Sequence, residues 1–426
     1  MGILRSFNIG VSGLGASGQG IGVIADNIAN AQTNGFKASR AEFQDVLAVS
    51  LKGIDGGDQF GAGTKLAHIK PVFTQGDVSR TDSITDLAIN GDGFFETKAP
   101  FGRGYTRDGS FHFNKEGELV TGDEYPVLGF QADASGKITN KMDAIKLGST
   151  TIPAKATEQV NLNMNLDSRA EVVQFDIKDP ENTSNFSHTV TTYDNVGTAR
   201  LITMAYNKTG DNTWQYRALV NGADAQGGVE GTMVEMATGT IQMSGKGVLQ
   251  AEVEGSNSFN FNKGAVQGQK IKFNFGKSIT EGGTGIDATT QYGSDSAIAR
   301  TTQNGYSAAT LASLSFNDDG VLTAVYDNGE SVNIAQMSVA KFENNEGLFK
   351  VGKNLFKESR KSGQPARGKP GEAGRGEVLS KSLELSNVDI ANEFVGLMTS
   401  QRNFQANAKT LTTADQMLQE VLNIKR

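Results

Sequence analysis

SKSLELSNVDIANEFVGLMTSQRNFQANAKTLTTADQMLQEVLNIKR, residues 380–426, decides how the chain is read. It holds no Pro, and no Gly after Gly396. Apolar or small residues recur at steps of four and three, through Ile390, Phe394, Leu397, Phe404, Ala408, Leu411, Leu418 and Leu422, with the register passing through Gln401 and Asp415. That spacing is a heptad, the pattern of a helix that buries a narrow stripe against another helix. Ser386 is placed to cap the first turn, with Asp389 three residues on and Leu385 and Ile390 flanking the cap as a staple. The expected helix, from about Asn387 to Ile424, would be roughly 55 Å long at 1.5 Å per residue. So long and so narrow a stripe wants a partner helix.

The other end of the chain offers one. Leu4, Phe7, Val11, Leu14, Ile21, Ala25 and Ile28 share the seven-residue spacing. The same segment contains Gly2, Gly10, Gly13, Gly15, Gly18, Gly20 and Gly22. Each interior Gly costs a helix about 1 kcal/mol relative to Ala. This end is therefore expected to be disordered alone and helical only when packed. The expected self-assembly residues are Leu4, Phe7, Val11, Leu14, Ile21, Ile28, Ile390, Phe394, Leu397, Phe404, Leu411, Leu418 and Leu422.

The net charge of −7 over 426 residues is unevenly placed. Residues 1–50 and 380–426 are each neutral, 351–379 carry seven basic against three acidic groups, and 51–350 carry 25 against 36. An acidic middle argues against nucleic acid, and neutral apolar-striped ends argue for self-association. The absence of Cys excludes disulfides, thiolate metal sites and a Cys nucleophile. No run of eighteen apolar residues predicts membrane insertion, and residues 1–30 lack the pattern of a secretory signal. Composition alone would place the chain in the cytosol.

Between the ends the texture is that of short alternating runs and tight turns. Asn90-Gly91, Asp108-Gly109, Glu116-Gly117 and Asp123-Glu124 punctuate the first β segment, and Asp319-Gly320 and Asn328-Gly329 the second. The expected fold is multidomain. Its outer domains are mainly β, sandwich- or barrel-like, and its long α-helical N- and C-termini form coiled coils. The expected division is 1–32 with 380–426 as terminal helices, 33–67 with 353–379 as an extended, irregular arm and linker, 68–148 with 310–352 as a β domain, and 149–309 as an inserted outer β domain. Residues 276–305 read as a long loop. The N-terminal helix is expected to stop at Asn34-Gly35.

No catalytic constellation emerges. Gly13-Leu-Gly15-Ala-Ser-Gly18 matches a dinucleotide pattern, but twelve helix-patterned residues precede it where a strand is needed, so it reads as a small-residue packing face. His68, His112 and His188 have no ligand partner at helical spacing, and Asn317-Asp-Asp-Gly320 reads as a hairpin turn. No enzyme activity, cofactor or metal is expected.

Several stretches resemble the bacterial flagellar rod and hook axial proteins. They are ADNIANAQTNGFK (25–37), DLAINGDGFF (86–95), YTRDGSFHFNKEGELVTGDEYPVLGF (105–130), GLFKVGKNLFKES (347–359), SGQPARGKPGEAGRGEV (362–378) and the C-terminal stretch from Leu383. The terminal motifs place Asn27, Asn30, Asn34, Gly35, Phe36, Lys37, Ser386, Asn387, Val388 and Asp389 in family positions. A complete motif set with one sizeable insert is similar to the members that form the hook. The alternative is another axial rod or junction protein. The resemblance implies a homo-polymer, a curved flexible helical tube that acts as a universal joint carrying motor torque to the filament. The terminal helices would line its inner tube. It implies export through the type III apparatus without a cleaved signal, a place in the flagellum, and the rod, the hook–filament junction proteins and the hook cap as partners.

Overall fold

The computed structural model describes residues 2–48, 60–133 and 135–424. The chain divides into two compact units. The first comprises Met1–Gly148, Ser313–Val325 and Ser331–Arg426, and the second Ser149–Ala312 with Tyr326–Glu330. Among the described residues no helix is long and apolar enough to cross a membrane.

The second unit is built on a five-stranded antiparallel meander in chain order: Phe186–Tyr193, Ala199–Gly210, Thr213–Asn221, Met233–Met243 and Leu249–Asn257. A second sheet centres on Gln159–Asp167, whose residues alternate strictly between buried and half-buried. Period-two alternation sends Val160, Leu162, Met164 and Leu166 into a core shared with Ile202, Met204, Tyr206, Trp214, Tyr216, Phe273 and Phe275 of the same unit. The stretch read as a loop, 276–305, supplies two strands, Thr290–Tyr292 and Ala297–Gln303, to that second sheet. Both are poor in large apolar residues because their partner strand provides the apolar face, so main-chain pairing holds them and hydropathy does not reveal them.

Arg200 is almost fully buried in this unit. Its guanidinium donates to Asp194 at 3.0 Å, to Asp224 at 2.6 Å and to Asn262, and lies over the Phe261 ring. Two further groups make the unit sensitive to pH in opposite directions. His188 stacks on Tyr206 at 5.6 Å, and burial holds its imidazole down at about 4. Burial pushes the Glu252 carboxyl up to about 7. Between pH 6.5 and 4 the unfolded His188 binds the proton and the folded one does not, so its contribution falls as pH falls. Between pH 4.5 and 7 the folded Glu252 holds the proton longer, so its contribution falls as pH rises. Each is worth about 1–2 kcal/mol once screening at its open side is allowed for. Urea unfolding of this unit in two variants, followed by Trp214 emission, should be compared with the wild type from pH 4.5 to 6.5. Relative to the wild type, His188→Phe should lose stability on raising the pH, and Glu252→Gln on lowering it. Parallel slopes in the two variants would contradict the assignment.

The first unit begins with helix α1 (Gly2–Ala29) and ends with helix α2 (Ile390–Ile424). Helix α1 closes earlier than Asn34-Gly35 because Asn30 caps the last turn. Its side chain donates to the Asp26 carbonyl and accepts from Thr33. Helix α2 starts three residues later than expected, and its cap is Asp389, not Ser386. The Asp389 carboxylate accepts from the N–H groups of Ala391 at 2.9 Å and Asn392 at 3.1 Å.

Where an irregular arm was expected, β1 (Ser39–Ala48) and β2 (Phe60–Pro71) form a long antiparallel hairpin. Residues 49–59 lie outside the described ones. The stretch 353–379 is likewise not a linker. It contributes Leu355–Lys357 and Ala366–Gly368 to a six-stranded antiparallel sheet, in the order Phe349–Gly352, Leu355–Lys357, Gly102–Thr106, Phe94–Ala99, Val339–Lys341, Ala366–Gly368. Glu377–Ser380 then pairs with Leu87–Asn90, and Ser382–Glu384 with Val78–Arg80. Leu355–Lys357 lies inside that sheet with Leu355 and Phe356 buried, while Ala366–Gly368 forms an edge, where a three-residue strand is held by main-chain bonds and needs few apolar side chains. The core beneath unites Leu87, Ile89, Phe95, Phe111, Val127, Leu322, Met337 and Val378.

Candidate assembly surface and its anchor

The two terminal helices pack antiparallel on each other. A side chain added at Gly10 would meet Leu411, one at Gly13 would meet Asn407 at 2.7 Å, and one at Gly396 would meet Ile24. Gly10, Ala16 and Gly20 are buried. Gly20 approaches the Phe43 ring of β1, and the Ser12 hydroxyl accepts from the Thr64 N–H of β2. Small residues thus let the two helices and the hairpin come close. Three of the glycines that weaken α1 in isolation, Gly10, Gly13 and Gly20, are where it is approached by α2 and the hairpin, whereas Gly15, Gly18 and Gly22 face open space.

The heptad residues fall elsewhere around the helices. Val11, Ile390, Phe394 and Phe404 are between 41% and 49% exposed, and Ile9, Val395, Met398 and Met417 stand open beside them. Phe7, Leu14, Ile21, Ile28, Leu397, Leu411 and Leu418 are half-buried. The side chains of Leu4 and Leu422 lie outside the described residues. Within one subunit the approach of the helices at Gly10 reaches the heptad residue Leu411. An apolar face of this extent left in water marks an interaction surface.

The anchor of the pair is polar and buried. Lys37 and Glu384 are both without exposed side-chain surface, and the ammonium lies 2.5 Å from Glu384 Oε1. Lys37 also donates to the Thr74 carbonyl. Arg107, 3% exposed, donates to Glu384 Oε2 at 3.2 Å and to the carbonyls of Ile89 and Gly91. Burial pulls the pKa of both cations down, against the pull of the carboxylate. The Gly76 N–H donates to Glu384 Oε1, and the Gly35 N–H to its main-chain carbonyl at 2.7 Å. Gly35 has φ +66°, and a Cβ there would strike Asp108 at 2.4 Å, so this position admits no side chain.

Two asparagines flank the charges. Asn27 bonds both main-chain groups of Ser39 at 2.8 Å and reaches Glu393 of α2 at 3.0 Å. Asn387 accepts from Ala38 N–H and donates to the Val72 and Thr74 carbonyls. Of the remaining family-motif positions, Phe36 is buried beneath the Lys350 ammonium and Asn34 accepts from Asn354 through its carbonyl. Ser386 accepts a long bond from Val388 N–H, and Val388 is half-buried. Asn27, Gly35, Lys37 and Asn387 are brought together. Asn30 and Asp389 serve helix ends instead. Glu384, Arg107 and Glu393 escaped the sequence reading. The available signal was a lone acid between Leu383 and Leu385 on an alternating run.

Four family models match: "Flagella basal body rod protein" at 7–37, "Flagellar hook protein FlgE/F/G D1 domain" at 88–187, "Flagellar basal body protein FlaE D2 domain" at 161–306, and "Flagellar basal body rod FlgEFG protein C-terminal" at 379–424. The chain is 30% identical over 429 residues to the flagellar hook protein FlgE of Escherichia coli, covering 99% of this chain and all of that one. It is 32% identical to the Borreliella burgdorferi FlgE and 31% to that of Salmonella typhimurium, each over 99% of this chain and all of the relative. The crystal structure of Helicobacter pylori flagellar hook protein FlgE2 shares the fold with a TM-score of 0.54 at 14% identity, over 72% of this chain and all of that one.

Proposed function

This chain belongs to the flagellar hook protein family, and from that premise we propose that it is a structural subunit of the bacterial flagellar hook. Copies polymerise into a curved, flexible tube that acts as a universal joint between motor and filament. The observation that carries the reading is the apolar face of the terminal helices, open in a single copy at Val11, Ile390, Phe394 and Phe404. Heptad residues with no partner inside the subunit take one from neighbouring copies, as coiled-coil contacts around an inner tube. The β units then form the outer layers. The subunit travels through the type III export apparatus without a cleaved signal. It meets the rod at one end of the tube, and the hook cap and later the junction proteins at the other. A rod or junction role is the alternative, and full-length similarity to hook proteins favours the hook.

The test is assembly. Removing 1–30 or 388–426 should leave a soluble β monomer that forms no tubes by electron microscopy at concentrations where the full chain does. A strain lacking the gene should show basal bodies without the curved segment and cells without filaments. Straight tubes from the full chain would favour the rod alternative, and tubes from either truncation would sink the reading.

A further inference from the structure

The buried cluster under the helices has an arrangement that self-assembly does not require. One carboxylate, Glu384, lies between two cations that come from different parts of the chain. Lys37 follows α1, Arg107 sits in the β framework, and Glu384 precedes α2. Asn27 and Asn387 repeat the pattern in neutral form. Asn27 precedes the hairpin and reaches Glu393 of α2, while Asn387 precedes α2 and reaches Ala38 at the hairpin's start. Lys37 and Asn27 near the end of α1 (the N-terminal foot) each reach a residue at or before the start of α2 (the C-terminal foot), and Glu384 and Asn387 each reach back to the segment after α1.

Burial makes this reciprocal. A charge removed from water is tolerated only with its partner in place, and removing one partner of a buried pair strongly destabilises the other. If residues 27–38 leave, Glu384 keeps Arg107 but loses the Lys37 ammonium, and Asn387 loses the Ala38 N–H. If residues 384–393 leave, Lys37 and Arg107 remain as two like charges in a dry site, and Asn27 keeps only Ser39. Neither foot is satisfied alone.

We propose that Lys37, Glu384 and Arg107, with Asn27 and Asn387, form a two-ended latch that closes within a single subunit and holds each chain end only while the other is in place. Its role is positioning. It fixes where α1 and α2 leave the β framework, and so where the apolar face stands. The latch belongs to one copy, so it stands or falls independently of what the polymer is.

The experiment is amide hydrogen exchange on the full-length, unpolymerised chain. In the wild type, peptides covering 30–38 and 383–389 should be protected even if the outer turns of both helices exchange freely. Lys37→Met leaves the Glu384–Arg107 pair intact and lies outside the C-terminal foot. It should nonetheless speed exchange at 383–389 together with 30–38, on the order of a hundred-fold in each. Glu384→Gln should do the same from the other side. Lys37→Arg, which keeps the charge, should restore protection in part at both feet. Strand Phe94–Ala99 and the emission of Trp214 report whether the two units remain folded. Should Glu384→Gln unfold the first unit, the Lys37 pair of variants still decides. Loosening confined to the mutated foot would overturn the latch. So would a wild-type subunit with both feet unprotected, or a Lys37→Met chain with neither changed.

Discussion

A subunit carrying Phe404→Asp is expected to fold as the wild type does and to form no tubes. Phe404 lies in the middle of α2, 41% exposed in the single subunit. The ring belongs to none of the buried clusters among the described residues, so the loss of monomer stability should be small beside the effect on assembly. In an assembled seam the same position would be enclosed by a neighbouring helix. An unpaired carboxylate enclosed there costs several kcal/mol, or forces the seam to stay open. The cost recurs at every subunit, so a polymer amplifies it into an all-or-none effect. Sedimentation and electron microscopy of matched samples would measure it. Tubes at wild-type yield would show that this face of α2 is not buried on assembly. Leu411→Asp is the less clean companion, because Leu411 also touches Gly10 within the subunit.

The second large effect is on folding. Arg200→Met should destabilise the second unit by about 3–5 kcal/mol, since Asp194, 1% exposed, would be left buried without its cation. The chain's one tryptophan, Trp214, sits in the core of that unit and reports its unfolding directly. Adding Asp194→Asn should recover part of the loss, because a neutral amide needs no counter-charge. If the single variant kept the wild-type urea midpoint, the Arg200 network would be shown to carry no net stability. Exchange in the first unit should not change in either variant, which separates this effect from any on assembly.

What could be read in advance follows from how local the signal is. The heptad of α2 is periodic over many residues, so period alone placed that helix. The hairpin of β1 and β2 was missed because register shifts at Glu42/Phe43 and Asp45/Leu47 break its alternation and half its residues stay exposed. The glycines of α1 looked like a weakness because a propensity counts only the isolated helix. Their use as a packing surface depends on Asn407, Leu411 and Phe43, far away in sequence. The anchor shows the same limit more sharply. Lys37, Arg107 and Glu384 each pass for an ordinary surface charge, and only the fold shows that they share one dry site. Asn27, Gly35, Lys37 and Asn387 were singled out by resemblance to a family motif. The physical reason for each appears only in the structure.

The bond between Lys37 and Glu384 closes a loop of 347 residues. Contacts so distant along a chain come late in folding, since the closure entropy must be met before the contact returns anything. A chain delivered end-first, from a ribosome or through a narrow conduit, therefore presents its first forty residues long before their counterpart arrives. Until residues 384–393 have emerged, the opening segment has only the hairpin β1–β2 to rest on and lacks its bonds to Glu384, Asn387 and Glu393. The order of delivery itself thus keeps the adhesive part of the molecule unfinished while the chain is in transit.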